Sequence, residues 1–209
     1  MKCKDGSLYS GITNNLDNRY KKHNSGKGAK YTRSHRPVRL VHFEEFKSQL
    51  RVMRREWKVK TFPRSKKEAL IEKKNVEQIA RAVIIKDGLV LVARRKGADN
   101  TFLPGGHIES GESPEEAIKR ELSEEMKAVP VVGDFKAIIH NSYTDNKVRE
   151  HEVNYVHSAE IPDTGIVSQE EHLEFFWVKV TKKELSKYKL KPARIRELVV
   201  SMCRKAGKK

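Results

Sequence analysis

The stretch GGHIESGESPEEAIKRELSEEM, residues 105–126, constrains the fold more than any other, because it dictates a helix and then loads it with like charge. Ser113 stands as the N-cap, Pro114 at the first helical position and Glu116 at the third, where it completes a capping box. Ile118, Leu122 and Met126 recur at i, i+4 and i+8, so this helix has a face to bury against a core. Glu121, Glu124 and Glu125 recur at i, i+3 and i+4 on a neighbouring sector. Three carboxylates within one turn repel one another unless a cation lies among them. Two readings of that sector follow: a solvated acidic face, or an oxygen-donor site for a hard divalent ion such as Mg²⁺ or Mn²⁺. No Cys or His cluster here suggests zinc.

The glutamates sit in a chain whose formal net charge is +16, and the excess is unevenly placed. Residues 1–75 hold 21 Lys+Arg against 7 Asp+Glu, a net of +14; the remainder holds 44 − 21 = 23 against 28 − 7 = 21, a net of +2. A basic segment joined to a nearly neutral one points to polyanion binding by the first half, with a solvated surface as the bland alternative. No apolar run approaches transmembrane length, and the opening MKCKDGS lacks the apolar stretch of a signal peptide, so no membrane partner is expected. Cys3 and Cys203 give no disulfide framework, and the expected location is cytoplasmic.

Composition shifts near Lys73-Lys74-Asn75, which divides the chain into expected domains of residues 1–74 and 75–209. The first reads as a strand (Leu8–Thr13), a helix (Leu16–Asn24), a basic Gly-rich loop, a strand (Val38–Phe43) and a long basic helix (Ser48–Lys60). The joint has no helix breaker over KKEALIEKKNVEQI. The second begins with two β-rich runs around the turn pair Asp87-Gly88. After the glutamate stretch come the runs FKAIIHNSY, EVNYVHSAEI and FFWVKV, then an amphipathic helix over Pro192–Cys203.

The spacing within the glutamate stretch is itself distinctive: Gly106, five residues, Glu112, seven residues, then Arg120-Glu121-Leu122-Ser123-Glu124-Glu125, entered through Leu103-Pro104-Gly105-Gly106. This resembles the signature of the Nudix family, and the resemblance extends over roughly residues 76–203. It implies an α/β/α sandwich with a mixed sheet and a Mg²⁺-dependent (or Mn²⁺-dependent) hydrolase that splits a phosphoanhydride bond in a nucleoside diphosphate linked to a moiety X. By the match, Glu121, Glu124 and Glu125 are the metal-binding carboxylates, with a backbone carbonyl near Gly106 as a further ligand. Arg120 pairs with Glu112 and holds the motif's loop to its helix. The general base is Glu121 or a later carboxylate, for which Glu170 and Glu171 are positional candidates. Where the family usually has Gly at the helix end, this chain has Lys127, so either a left-handed Lys closes the helix or the helix runs on towards Pro130.

Arg94 and Arg95 end a strand before the motif and are candidates to hold substrate phosphates, or simply a strand end reaching solvent. Phe102, Tyr143 and Tyr155 are stacking candidates for a base, with a core role the commoner fate of scattered aromatics. His151 and His157 are read as structural.

The first half carries a second pattern: Tyr9-Ser10-Gly11, Arg19 and His23 on the first helix, Asn24 before a basic loop, and Glu56 on the long helix. It resembles GIY-YIG nucleases over residues 2–72, an α/β domain in which Tyr acts in proton transfer, Arg steadies the phosphate and Glu holds a metal. The family's first motif strand is missing ahead of Met1-Lys2-Cys3, for which a late start site, a truncation or a decayed nuclease kept for binding are the explanations. The whole is thus expected to be an α+β and α/β protein of two domains: a Nudix pyrophosphohydrolase acting on a nucleoside triphosphate or related nucleotide, with nucleic acid bound through residues 1–74. The alternative is a nucleic-acid-processing protein, either a GIY-YIG endonuclease or an RNA 5′-end pyrophosphohydrolase. A homodimer is among the states that the Nudix resemblance allows.

Overall fold

A computed structural model describes residues 1–206 apart from 47, 73–75, 110, 146–147, 163–165 and 167; for 72, 143–145, 148–150 and 205–206 it describes the backbone alone. The chain divides into two compact units, residues 1–78 with 142–153, and residues 79–141 with 154–209.

In the first unit β1 (Lys2–Cys3) pairs antiparallel with β2 (Val38–Arg39). Helix α1 (Leu16–Asn24) starts because the Asn15 side chain accepts the Asn18 N–H at 2.8 Å, and Lys21, Lys22 and His23 suit the negative end of its dipole. Asn24 then clips β2, accepting the Val38 N–H at 2.8 Å and donating to the Val38 carbonyl at 3.0 Å. After α2 (Lys30–Ser34) the chain reaches α3 (Gln49–Thr61) and α4 (Arg64–Glu72), with Pro63 forcing the break between them.

Two expected strands are corrected here. Of Leu8–Thr13 only Leu8 bridges to Lys2, and Tyr9 exchanges backbone bonds with Met1 at 2.8 and 2.9 Å. Val38–Phe43 shrinks to the two residues of β2. A strand exists only where a neighbour satisfies its backbone, and among the described residues β1 offers two residues.

The extended segment before α3 is tied to that helix by a fork: Arg55 Nε and Nη2 each donate to Glu44 at 2.8 Å, and His42 Nε2 lies 3.0 Å from the same carboxylate. The Arg55 hydrogen bonds, with help from His42, pull the Glu44 pKa from 4.5 down to about 2 against the opposing effect of burial. A carboxyl whose folded pKa is depressed stabilises the fold above its unfolded pKa and loses that contribution as pH falls from 4.5 to about 2. Glu44→Gln should therefore cost about 1–2 kcal/mol at pH 7 and almost nothing near pH 2, as read by urea denaturation at both pH values.

Beyond α4, β3 (Val76–Val83), β4 (Ile85–Lys86) and β5 (Leu89–Arg95) are the next strands along the chain, and Asp87 (φ 50°) and Gly88 (φ 74°) make the expected two-residue turn. Then follow α5 (Pro114–Met126), the long pair β6 (Val131–Asp145) and β7 (Val148–Glu160), β8 (Leu173–Lys179), α6 (Lys182–Lys187) and α7 (Arg194–Ala206). The sheet orders are β3-β7-β6 and β4-β5-β8, with β5 antiparallel to both its neighbours. A parallel bridge between Phe102 and Lys191 makes the strand pairing mixed.

Alternate residues of the same strands serve two cores. Ala80, Ala82, Ile84 and Leu91 pack under Ile118, Leu122 and Met126 of α5. Val83, Val90 and Val92 pack with Leu185 of α6 and with Ile195 and Val199 of α7. This is an α/β/α sandwich, and period-two alternation in β3 and β5 is what lets one layer of strands feed both faces. Tyr155 and His157 of β7 are buried, while the side chain of Tyr143 lies outside the described residues. Among the described residues no helix is long and apolar enough to cross a membrane.

Helix α5 ends as the first of the two expected alternatives. Lys127 is left-handed at φ 50°, and its N–H closes back on Leu122 and Ser123. A side chain costs about 1 kcal/mol in that conformation, so Lys127→Gly should raise stability by roughly that amount in a denaturant melt, without moving the carboxylates one turn earlier.

Candidate active site

The site is built on the second half of α5 and on the loop that leads into the helix. Both arms of the capping box form: the Ser113 hydroxyl accepts the Glu116 N–H at 3.2 Å, and the Glu116 carboxylate accepts the Ser113 N–H at 2.7 Å. That fixes where the helix begins, and hence where Glu121, Glu124 and Glu125 point.

Arg120 organises the cluster. Its Nε and Nη2 grip the two oxygens of Glu112 at 2.9 and 3.0 Å, and Nη2 also donates to the His107 carbonyl at 2.9 Å. Its Nη1 reaches Glu121 at 2.9 Å and Glu124 at 3.3 Å. Glu112 in turn accepts the Glu109 N–H, so His107, Glu109 and Glu112 of the loop are pinned to the helix through one guanidinium. The Arg120 hydrogen bonds hold the Glu112 carboxyl below its ordinary range.

Glu125 is different. It is 5% exposed, and its Oε2 has no hydrogen-bond partner. Burial above all, then the nearby Glu121 charge, pushes its pKa up to about 8; the Arg81 charge and a Gly105 backbone hydrogen bond pull the other way. Glu170 adds to the upward push, which places its charge within reach of the same pocket. The loop that carries Glu170 is moored there, because the Gln169 N–H donates to the Glu125 carbonyl at 2.8 Å. Glu170 also faces His172 at 3.1 Å, while Glu171 is exposed.

The two glycines at the head of the motif make the close approach possible. A Cβ on Gly106 would stand 2.3 Å from the Glu121 carboxyl carbon. Gly105 has φ +117°, and a Cβ there would stand 2.3 Å from the Ala80 carbonyl oxygen. The Gly106 carbonyl accepts the Ala80 N–H at 2.9 Å, which leaves it a second lone pair.

Sequence reading missed Arg81. Its Nη1 donates to the carbonyls of Leu103 and Gly105, its guanidinium lies over the Phe102 ring, and its charge acts on Glu125. The available signal was an arginine between the alanines of a buried strand, a costly place for a charge without a task. Arg94 and Arg95 part company. Arg94 Nε is bonded to Glu174 across β5 and β8 and its guanidinium lies over Phe176, whereas Arg95 is exposed at the strand end. His157 is packed edge-on against Phe135 with Nε2 3.6 Å from Glu115, and burial lowers its pKa.

In the first unit Tyr9, Arg19 and Glu56 line one cleft of about 770 Å³. Arg19 lies over the Tyr9 ring at 5.9 Å and presses on Gly11, where a Cβ would collide with the guanidinium. Glu56 is paired with Lys60 at 2.8 Å. His23 sits behind Tyr9, with ring centroids 5.1 Å apart, and is buried with Nδ1 2.6 Å from the Thr32 hydroxyl.

Comparisons with known proteins find a family match in each half of the chain. A NUDIX domain model matches residues 76–199, and a GIY-YIG catalytic domain model matches residues 1–69. A UPF0213 protein of Bacillus pumilus is 50% identical over 80 residues, covering 38% of this chain and 82% of the relative. Among solved structures, the MutT protein of Methanosarcina mazei Go1 superposes with a TM-score of 0.51 at 24% identity, covering 66% of this chain and 99% of that one. The dihydroneopterin triphosphate pyrophosphohydrolase of E. coli also gives 0.51, at 17% identity, covering 62% and 98%. At these identities the two structures speak for the fold alone.

Proposed function

Because this chain belongs to the NUDIX family of phosphoanhydride hydrolases, we propose that its second domain splits a nucleoside diphosphate linked to a further group, such as a nucleoside triphosphate, with the help of Mg²⁺. The observation that carries this reading is the buried Oε2 of Glu125, which has no hydrogen-bond partner and stands beside Glu121. An orphaned carboxylate oxygen inside a protein calls for a cation, and a set made only of oxygens suits a hard divalent one. Glu121, Glu124 and Glu125, with the free lone pair of the Gly106 carbonyl, would hold it. Mg²⁺ (or Mn²⁺) bound there supplies Lewis-acid charge for the phosphoryl oxygens and a more acidic bound water.

The chain's own groups do the rest. Arg120 keeps Glu112 through Nε and Nη2, so the carboxylates can change partner at Nη1 alone while the loop stays in place. Glu121 or Glu170 takes the proton of the attacking water; Glu170 is favoured over Glu171 because its charge is felt at Glu125. Arg95 rather than Arg94 is free to meet phosphate, since Glu174 occupies Arg94. Residues 1–74, with their concentrated positive charge, bind nucleic acid, and the protein works in the cytoplasm.

The deciding experiment is Mg²⁺-dependent product release from nucleoside triphosphates, nucleotide sugars, ADP-ribose and 5′-triphosphate RNA. Turnover of any one names the substrate class, and no turnover in any would sink the reading. A second reading, strand cleavage in the first domain, draws on the meeting of Tyr9, Arg19 and Glu56 around one cleft. Cleavage lost in Glu56→Gln but kept in Glu125→Gln would establish it.

A further inference from the structure

Helix α3 has two faces with different owners. Val52, Glu56 and Val59 line the cleft that holds Tyr9 and Arg19. On the other side Leu50, Met53 and Trp57 follow at i, i+3 and i+7, and they are 58%, 51% and 70% exposed. Large apolar side chains left bare in a row mark a binding face. One residue further round, Arg51, Arg54 and Lys58 form a second row with the same spacing. All three are exposed and make no ion pair among the described residues, in contrast to Arg55, held by Glu44, and Lys60, held by Glu56. The helix thus presents an aromatic-capped apolar stripe alongside a stripe of uncommitted cations.

We propose that this outer face of α3 is a stacking platform for single-stranded nucleic acid, with an unpaired base lying on Trp57 beside Met53 and with Arg51, Arg54 and Lys58 on the phosphates. The proposal rests on the reading of residues 1–74 as a nucleic-acid-binding domain and adds to it a place and a strand preference. A base face is flat and apolar and its backbone is anionic, so the two rows match the two halves of one nucleotide. A duplex hides its base faces and has nothing to lay on the indole. A second copy packed antiparallel through this stripe would bring the cation rows against each other. A helix lying in a lipid interface needs a broad apolar face, whereas this stripe is one residue wide.

The test is fluorescence anisotropy of the full chain with a labelled single-stranded DNA of about 12 nucleotides, within the length that such surfaces cover, and with its duplex. It is run in parallel with nucleotide hydrolysis. Trp57→Ala should weaken single-strand binding about 10-fold, leave duplex binding and hydrolysis unchanged, and be largely rescued by Trp57→Phe. The double variant Arg54→Gln with Lys58→Gln should flatten the slope of log affinity against log salt by about 1.4, the value for two lost phosphate contacts. In a Trp177→Phe background the remaining Trp57 emission should be quenched by the strand. A wild type that binds the strand with an unchanged Trp57→Ala affinity overturns the platform and leaves the basic-domain reading standing. A wild type that binds no strand overturns both. If Trp57→Ala instead abolishes binding to phosphatidylserine vesicles, or self-association on a sizing column, while strand binding is intact, the face belongs to that partner and the proposal fails.

Discussion

Glu125→Gln is expected to lower turnover by at least about 1000-fold while leaving the protein folded. The variant removes one carboxylate from the only buried position in the Glu121, Glu124, Glu125 set. Losing a ligand to a catalytic cation removes several kcal/mol of transition-state stabilisation, and each tenfold in rate is about 1.4 kcal/mol. Stability should move the other way. A buried carboxyl with one unpartnered oxygen, its pKa pushed up to about 8, gives place to a neutral amide of the same shape, so in EDTA the variant should melt at or above the wild-type temperature. Millimolar Mg²⁺ should then raise the melting temperature of the wild type and not of the variant, since ligand that binds only the folded state stabilises it by mass action. A variant that keeps wild-type turnover would remove Glu125 from the metal set.

Gly105→Ala should be the costliest small substitution in the second unit, at about 2–4 kcal/mol, with activity lost alongside stability. Two penalties coincide there. The backbone is at φ +117°, and the added methyl meets the Ala80 carbonyl oxygen, a backbone atom that cannot swing away. Gly111 separates the two effects: it has φ +91°, but a methyl added there would find nothing within 4 Å, so Gly111→Ala should cost only about 1 kcal/mol. Chemical denaturation of both variants checks the ordering, and equal costs would mean that the Ala80 contact relaxes freely.

What could be read in advance was local. The start of α5, its buried stripe and the Asp87-Gly88 turn depend on residues within a few positions of one another, and they stand where the spacing puts them. What was missed depends on partners far along the chain. Residues 8–13 have strand composition but no neighbour to complete a ladder among the described residues. Arg94 looks free in sequence because Glu174, its partner, lies 80 residues away. Arg81 is one arginine among many until the sheet carries it under Phe102 and towards Glu125. Helix α6 is a different kind of miss: Thr181 caps it by accepting the Glu184 N–H, a pattern visible in the text of the sequence and passed over.

The guanidinium of Arg120 also changes what kind of object the motif is. By composition, residues 107–112 are a surface loop, of the sort whose amides exchange with solvent in the time it takes a loop to breathe. Tied through Glu112 and the His107 carbonyl to the same side chain that spans Glu121 and Glu124, the loop cannot lift without stripping charge compensation from the helix. Loop and helix should therefore open as one cooperative unit, with the amides of Glu109 and Glu112 protected as deeply as those of the α5 turn they lean on.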